Sequence, residues 1–272
     1  IKKNANAKIN LGLQVLQKRY DGYHNINTVF YPIKLSDKIE IFESGEFELF
    51  GCDNLNCKTE DNLVFKAWKL INDNFKINPV RIYLNKNIPS GAGLGGGSSD
   101  AAKVILILDE LFSLNLDDVT KNKLAAYLGS DVPYFLNSYK TASGTSKGEI
   151  LNYFDFSHRF NLLLVNPGVN VSTATAYKLL KRDENKRETI DFKSILINEE
   201  IKNFKKYIIN DFEEVVFQLH PEIASIKEKL YEYGSFFALM SGSGSSVFGF
   251  FDDEKTALDA KKRFDGYFTY IE

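Results

Sequence analysis

Between residues 37 and 51 apolar and polar positions alternate: Ile39, Ile41, Phe47 and Leu49 are separated by charged or polar neighbours on either side of Ser44-Gly45. A period of two is the repeat of a half-buried strand, and a Ser-Gly step between two such runs predicts a β-hairpin. Val80, Ile82 and Leu84 repeat the alternation and predict a further strand. From residue 101 the period changes. Ala101, Ala102, Ile105, Leu108 and Phe112 recur at helical spacing, with Ser99 or Asp100 placed to cap the first turn. Another helix is expected over 119–128, stopped by Gly129, and SDVPYFL opens a third with Pro133 in its first turn, so that Asp131 stands at a helix start.

In the second half, RFNLLLVNP (159–167) has the apolar centre of a short strand. PEIASIKEKLYEYG (221–234) begins with proline, carries Ile223, Ile226 and Leu230 on one face and ends at glycine, which predicts a helix before the strand-like SFFALM and SSVFGFF. Strand and helix segments mix throughout, with no internal repeat. The less hydrophobic KTASGTSKGEILNYFDFSH (140–158) reads as a joint, which divides the chain into domains of 1–155 and 156–272. The charged KRDENKRETIDF (181–192) reads as a solvated connection.

Composition narrows the partners. Of 272 residues 44% are hydrophobic and 26% charged, enough for one large core or two modest ones. The net charge of -2 leaves no basic surplus to neutralise a run of phosphates, so a small molecule is expected rather than a nucleic acid. No apolar run approaches the roughly 20 residues that span a bilayer, and IKKNANAKINLGL lacks the apolar centre of a secretory signal, so no membrane partner and a cytoplasmic location are expected. The sequence begins at Ile1 without methionine, and a residue or more is expected ahead of it. Cys52 and Cys57 in GCDNLNC are spaced for a small disulfide or two thiolates of a metal site, but no further ligands stand nearby in the sequence, and two reduced thiols are expected.

The richest chemistry lies in NIPSGAGLGGGSSDAAKVIL (87–106), a glycine loop between a strand and a helix. Glycines turn through positive φ and let amides approach an anion without Cβ clashes, and the helix start adds partial positive charge. No Gly-Lys-Ser/Thr follows at the Walker spacing, and GAGLGG fits the dinucleotide pattern GxGxxG only loosely. The hydroxyls of Ser98 and Ser99 are placed to meet a phosphate or a magnesium ion, the lesser reading of such a loop by itself being a flexible or tight turn.

The run from Pro89 through Gly91, Gly93, Leu94, Gly95, Gly96, Gly97, Ser98 and Ser99 to Ala102 resembles the phosphate loop of the GHMP small-molecule kinases, named for galactose, homoserine, mevalonate and phosphomevalonate. AKINLGLQVLQKRYDGYHNINTVF (7–30) is similar to the first motif of one branch of that family, and MSGSGSSVFGFF (240–251) to the third motif, a second glycine-rich turn. LGSDVPYFL and NPGVNVSTATAY fall between them in the family's order. The resemblance implies an α+β fold, with an N-terminal domain like the second domain of ribosomal protein S5 and a ferredoxin-like C-terminal domain. It implies ATP and magnesium as cofactors, the metal being bridged by nucleotide phosphates with few protein ligands, and a cytidyl-tagged alcohol as acceptor.

Carried over residue by residue, the resemblance makes Asp131 the group that accepts or orients the hydroxyl proton and Lys8 the lysine beside it. Asn10, Tyr23, His24 and Tyr177 then bind the acceptor, with His24 hydrogen-bonding the cytosine and the tyrosines stacking on it. Lys86 and Asn62 flank the ATP side. Read alone, Asp131 is a helix cap, Lys8 a surface charge, His24 a loop residue and Tyr177 a core residue. Ser146 stands where the branch has the first glycine of a GxGE turn, and His158 and His220 match no motif. The alternatives are a homoserine- or mevalonate-type kinase, which would lack DGYH, a catalytically silent nucleotide-binding protein of the same fold, and a dinucleotide-dependent oxidoreductase, which rests on GxGxxG alone.

Overall fold

The computed structural model describes residues 1–51, 59–137, 139–156, 160–180 and 187–272. Cys52, Cys57, His158 and the first half of the charged stretch 181–192 lie outside the described residues. The chain forms two compact units that interleave in sequence: Ile1–Lys8, Pro32–Ser90 and Gly95–Tyr139 make one, and Ile9–Tyr31, Gly91–Leu94 and Lys140–Glu272 the other. The long strands β1 (Lys2–Lys18) and β2 (His24–Glu43) contribute residues to both. The division expected near Asp155 is one of sequence domains; contacts draw these units along other lines.

In the first unit, β3 (Glu48–Phe50) follows β2, and α1 (Leu63–Phe75) precedes β4 (Val80–Asn85). β2 pairs antiparallel with β4 from Lys38↔Asn85 to Glu43↔Val80, while β3 runs parallel to β4 from Glu48↔Arg81 to Phe50↔Tyr83. The hairpin expected over 37–51 therefore does not form, because β4 lies between its two arms. Val80, Ile82 and Leu84 of β4 are all buried, whereas β3 has no buried residue, so the strand with the stronger apolar face takes the centre and β3 the edge. The Ser44 amide, at the end of β2, donates to Pro79 O at 3.0 Å and fixes that exchange of neighbours.

Helix α1 starts because the Asn62 side chain accepts the Val64 amide at 2.8 Å, and it buries Val64, Ala67 and Ile71 along one stripe. Then come α2 (Gly96–Leu111), α3 (Asp118–Leu128), capped by Asp117 and stopped at Gly129, and α4 (Val132–Leu136). α2 packs against both α1 and α4 and buries Ala101, Ala102, Val104, Ile105, Ile107 and Leu108 completely.

The second unit contains β5 (Thr141–Thr145) and β6 (Ile150–Phe154), paired from Thr141↔Phe154 to Thr145↔Ile150. The segment expected to be a joint is thus a hairpin. β5 lies on β2, and a Cβ on Gly144 would come within 2.7 Å of the Phe30 ring, so the close approach of the two strands requires glycine at that position. Beyond it run β7 (Asn161–Asn166), α5 (Thr173–Leu179), α6 (Phe192–Asn198), α7 (Phe204–Tyr207), α8 (Glu213–Leu219), α9 (Pro221–Glu232), β8 (Phe237–Met240), β9 (Val247–Phe251), α10 (Glu254–Lys261) and β10 (Phe268–Ile271). These four strands form an antiparallel sheet in the order β10-β7-β9-β8, the ferredoxin-like order. One face of it, with Leu163, Val165, Met240 and Val247, packs with Ile223, Ile226 and Leu230 of α9 and Ala257 of α10.

Candidate active site

The glycine loop enters helix α2 earlier than its sequence suggests. Gly95, at φ 70°, is the N-cap and offers no side chain, and Gly96, Gly97, Ser98 and Ser99 already belong to the helix. The Ser99 amide makes the first helical bond, to Gly95 O at 2.9 Å, so the amides before it stand outside the ladder at the positive end of the dipole. Neither Ser99 nor Asp100 caps the helix. Ser99 is fully buried and, among the described residues, its hydroxyl has no hydrogen-bond partner. Gly95 sits where a Cβ would meet the Phe135 ring at 2.6 Å and Lys8 Cε at 3.2 Å, which brings the loop's cap against the base of the Lys8 ammonium.

Lys8 is buried, and its Nζ lies 3.8 Å from Asp131 Oδ2. Burial pushes the Lys8 pKa down and the Asp131 carboxylate pulls part of the way back. Asp131 precedes α4 but makes no side-chain cap bond, and its side chain is 31% exposed against 4% for Lys8. Its carboxylate is therefore partly exposed beside a buried cation and is not spent on capping the helix.

Beneath the first turn of α2, Lys86 joins Asp37 and donates to Asp100 Oδ2 at 2.7 Å. Asp37 Oδ1 accepts the amides of Asn87 and Ile88 at 2.6 and 2.8 Å, which anchors the chain entering the loop just before Pro89. A Cβ on Gly96 would lie 3.3 Å from Lys86 Nζ, so the ammonium stands beside the helix start with its charge shared between two carboxylates. The Lys86 pKa is raised: burial opposes the charge, and the two carboxylates more than offset it. Asp100 is driven by burial to about 7, with Lys86 opposing and Asp37 adding to the rise. A folded pKa above the ordinary 3.8 means that folded Asp100 keeps its proton where the unfolded chain has lost it. Stability is therefore expected to fall as pH rises from about 4 to about 7, and Asp100→Asn to flatten that slope in denaturant titrations across the window. Equal slopes in the two proteins would remove Asp100 as their source.

In the second unit, Gly91 and Gly93 take φ values of 64° and 76°, and Leu94 is buried. The turn after β8 closes on this segment. Ser241 Oγ donates to Gly93 O at 2.9 Å and accepts the Asn10 amide at 3.2 Å, and the Ser246 amide donates to Ala92 O at 3.2 Å. The Asn10 side chain donates to Thr28 Oγ1 at 2.8 Å, so Asn10 is held on both sides. Thr173 and Ser243 hydroxyls meet at 2.7 Å and tie that turn to the segment that starts α5.

The same unit brings His24 onto Tyr177, rings stacked with centroids 5.1 Å apart and 11° between planes, and Tyr177 stands edge-on to Phe212 at 4.8 Å. Burial, and then Lys18, lower the His24 pKa, so the imidazole is neutral at pH 7. Tyr23 is exposed and lies under Lys147 Nζ, 4.9 Å from its ring centroid. Asn62 is found as the cap of α1. Residues missed in the sequence are Asp37, which braces Lys86 from 49 positions away, and Arg19, which bonds Ser146 from 127 positions away; no spacing signals partners so distant in the chain.

Comparison with known proteins decides the family. The family model for the GHMP kinases N terminal domain matches residues 62–138, and that for the GHMP kinases C terminal matches 192–268. The chain is 43% identical over 264 residues to the 4-diphosphocytidyl-2-C-methyl-D-erythritol kinase of Porphyromonas gingivalis, with 93% of each chain covered. The chain belongs to the GHMP kinase family. A crystal structure of 4-(cytidine 5'-diphospho)-2C-methyl-D-erythritol kinase matches it at a TM-score of 0.84 and 31% identity, over 100% of this chain and 98% of the other. Mevalonate kinase from Methanococcus jannaschii shares the fold, with a TM-score of 0.75 at 20% identity over 100% and 97% of the two chains. The α+β fold is thus the GHMP kinase fold, and the chain is an ATP-dependent small-molecule kinase of that family. Among the described residues no helix is long and apolar enough to cross a membrane.

Proposed function

We propose that this GHMP kinase transfers the γ-phosphoryl group of ATP to the 2-hydroxyl of 4-diphosphocytidyl-2-C-methyl-D-erythritol, a step of non-mevalonate isoprenoid precursor synthesis in the cytoplasm. The observation that carries the reading is the stacking of His24, from the DGYH segment, on Tyr177. A neutral imidazole offers one donor and one acceptor, which suits the edge of a cytosine, and Tyr23 and Tyr177 supply rings for its faces. Stacking of that kind is worth about 1–3 kcal/mol per base, enough to select a cytidyl-tagged alcohol over a bare one.

Phosphoryl transfer asks for position and charge more than for covalent help. In this reading the loop from Pro89 to Ser99 cradles the ATP phosphates with backbone amides at the start of α2, while Asn62 and Lys86 flank the nucleotide from the ends of α1 and the strand before the loop. Asp131 takes up the hydroxyl proton at its partly exposed carboxylate, Asn10 helps to orient the acceptor, and the buried Lys8 ammonium stands beside that carboxylate and favours the developing alkoxide. The residues present also fit a magnesium ion carried mainly by nucleotide phosphates, because the buried Ser99 hydroxyl at the first turn of α2 has no hydrogen-bond partner among the described residues. Such an ion, when bound, screens charge on the phosphate oxygens. The two family domains are assigned to 1–155 and 156–272.

ATP consumption with magnesium, measured on 4-diphosphocytidyl-2-C-methyl-D-erythritol, homoserine, mevalonate and galactose, tests the reading. Turnover is expected with the cytidyl compound alone, and His24→Ala is expected to raise its KM by at least about ten-fold. Turnover with another acceptor, or an unchanged KM in His24→Ala, would overturn it.

A further inference from the structure

Ser146 stands at φ 61°, in the left-handed region where a side chain is disfavoured and glycine is at ease. It occupies the turn between β5 and β6, where Gly148, at φ 112°, already supplies flexibility. What the serine has that glycine lacks is a hydroxyl, and that hydroxyl is fully engaged. It accepts from Arg19 Nη1 at 2.8 Å and donates to Glu149 Oε1 at 3.0 Å.

Arg19 uses the rest of its guanidinium on the loop that leads to His24. Its Nε donates to both oxygens of Asp21 at 3.1 Å, and Nη1 also reaches Asn25 Oδ1 at 3.0 Å. The backbone agrees: the Arg19 amide donates to Tyr23 O at 2.7 Å, and the Ile26 amide donates to Ser146 O at 2.6 Å. Glu149 then fixes the turn from its other side, its Oε2 accepting the Lys147 amide at 2.8 Å, and Lys147 places its ammonium over Tyr23. One guanidinium and one hydroxyl thus tie the segment presenting Tyr23 and His24 to the β5–β6 turn.

We propose that Arg19 and Ser146 are positioning residues for recognition of the acceptor's base: their bond holds the DGYH loop so that Tyr23 and His24 meet the cytosine without first having to be ordered. The inference rests on the reading that these two residues bind the base. A planar, forked donor suits this work because it spans two loop residues and the turn at once, which a lysine does not. Ordering two loops before binding lowers the cost paid on association, so the gain falls on acceptor affinity and not on the chemical step.

The test is steady-state kinetics and thermal melting on Ser146→Gly, Arg19→Lys, the double variant and, alongside, His24→Ala. Ser146→Gly relieves the left-handed strain, so its melting temperature is expected to hold or rise, yet its KM for the cytidyl acceptor is expected to increase about five-fold, with kcat and the KM for ATP unchanged. Arg19→Lys should raise the same KM by a similar factor, and the double variant should be no worse than the more affected single one, because both remove one shared bond. An unchanged acceptor KM in Ser146→Gly and Arg19→Lys, with His24→Ala impaired, would overturn this inference and leave the base-binding reading standing. An unchanged KM in His24→Ala would overturn both. Loss of kcat together with melting temperature would reduce Ser146 to a structural turn residue.

Discussion

Asp131→Asn is expected to lower turnover by about 10²–10⁴-fold while leaving the KM for ATP within about two-fold. The amide keeps the shape of the side chain but cannot take up a proton, and it no longer balances the Lys8 ammonium 3.8 Å away. Loss of folding is not the expected cause, because Asp131 heads α4 without capping it. A second readout follows from the Lys8 pKa, which burial lowers and Asp131 raises in part. On the proposed reading Lys8 acts as the protonated form, so activity is expected to be lost as pH rises through its pKa. Removing the carboxylate takes away the raising influence, and the alkaline limb of residual activity should move to lower pH in Asp131→Asn than in the parent enzyme. Rate–pH profiles of both proteins measure this. Turnover within a few-fold of the parent would mean that the proton goes elsewhere.

The residues behind that experiment were legible in the sequence only through their motifs. Spacing placed Asp131 at a helix start, where it stands, but a start residue is ordinarily a cap, and nothing local says that its carboxylate turns toward a lysine 123 positions earlier. Local physics was read well where it acts within a few residues: the alternation of β4, the proline start and apolar stripe of α9, and the glycine stop of α3 all appear as expected. It fails where the partner is distant. The alternation on either side of Ser44-Gly45 identifies two strands but not the β4 inserted between them. The sparse apolar content of 140–158 suggests a joint, and nothing local shows the pairing of β5 with β6 or the Phe30 ring, on another strand, that requires glycine at 144. Asp100 looked like a cap from its place after the glycines, whereas Lys86 and Asp37 claim it from below.

Gly93→Ala should be among the most damaging single substitutions in the phosphate loop, for a reason no propensity table contains. At φ 76° the alanine would cost about 1–2 kcal/mol in backbone strain alone. Its Cβ would also fall 2.0 Å from Ser241 O and 3.0 Å from Gly244 O, both backbone atoms of the third motif's turn, which cannot swing aside as a side chain end can. That turn must retreat, breaking the bond from Ser241 Oγ to Gly93 O and loosening Asn10, whose amide donates to the same hydroxyl. The KM for ATP is expected to rise by more than about ten-fold and the melting temperature to fall by more than strain alone explains. Gly266→Ala separates the two costs. Gly266 has nearly the same φ, 81°, but an added Cβ there meets nothing within 4 Å, so it should show the strain in melting with no change in the KM for ATP. If Gly93→Ala behaved like Gly266→Ala in both measurements, the close approach of the two glycine turns would have no part in holding the nucleotide. If it separates from it as expected, the glycine is required there by the neighbouring backbone, and the loop's sequence is explained as much by what it packs against as by the phosphate it is proposed to bind.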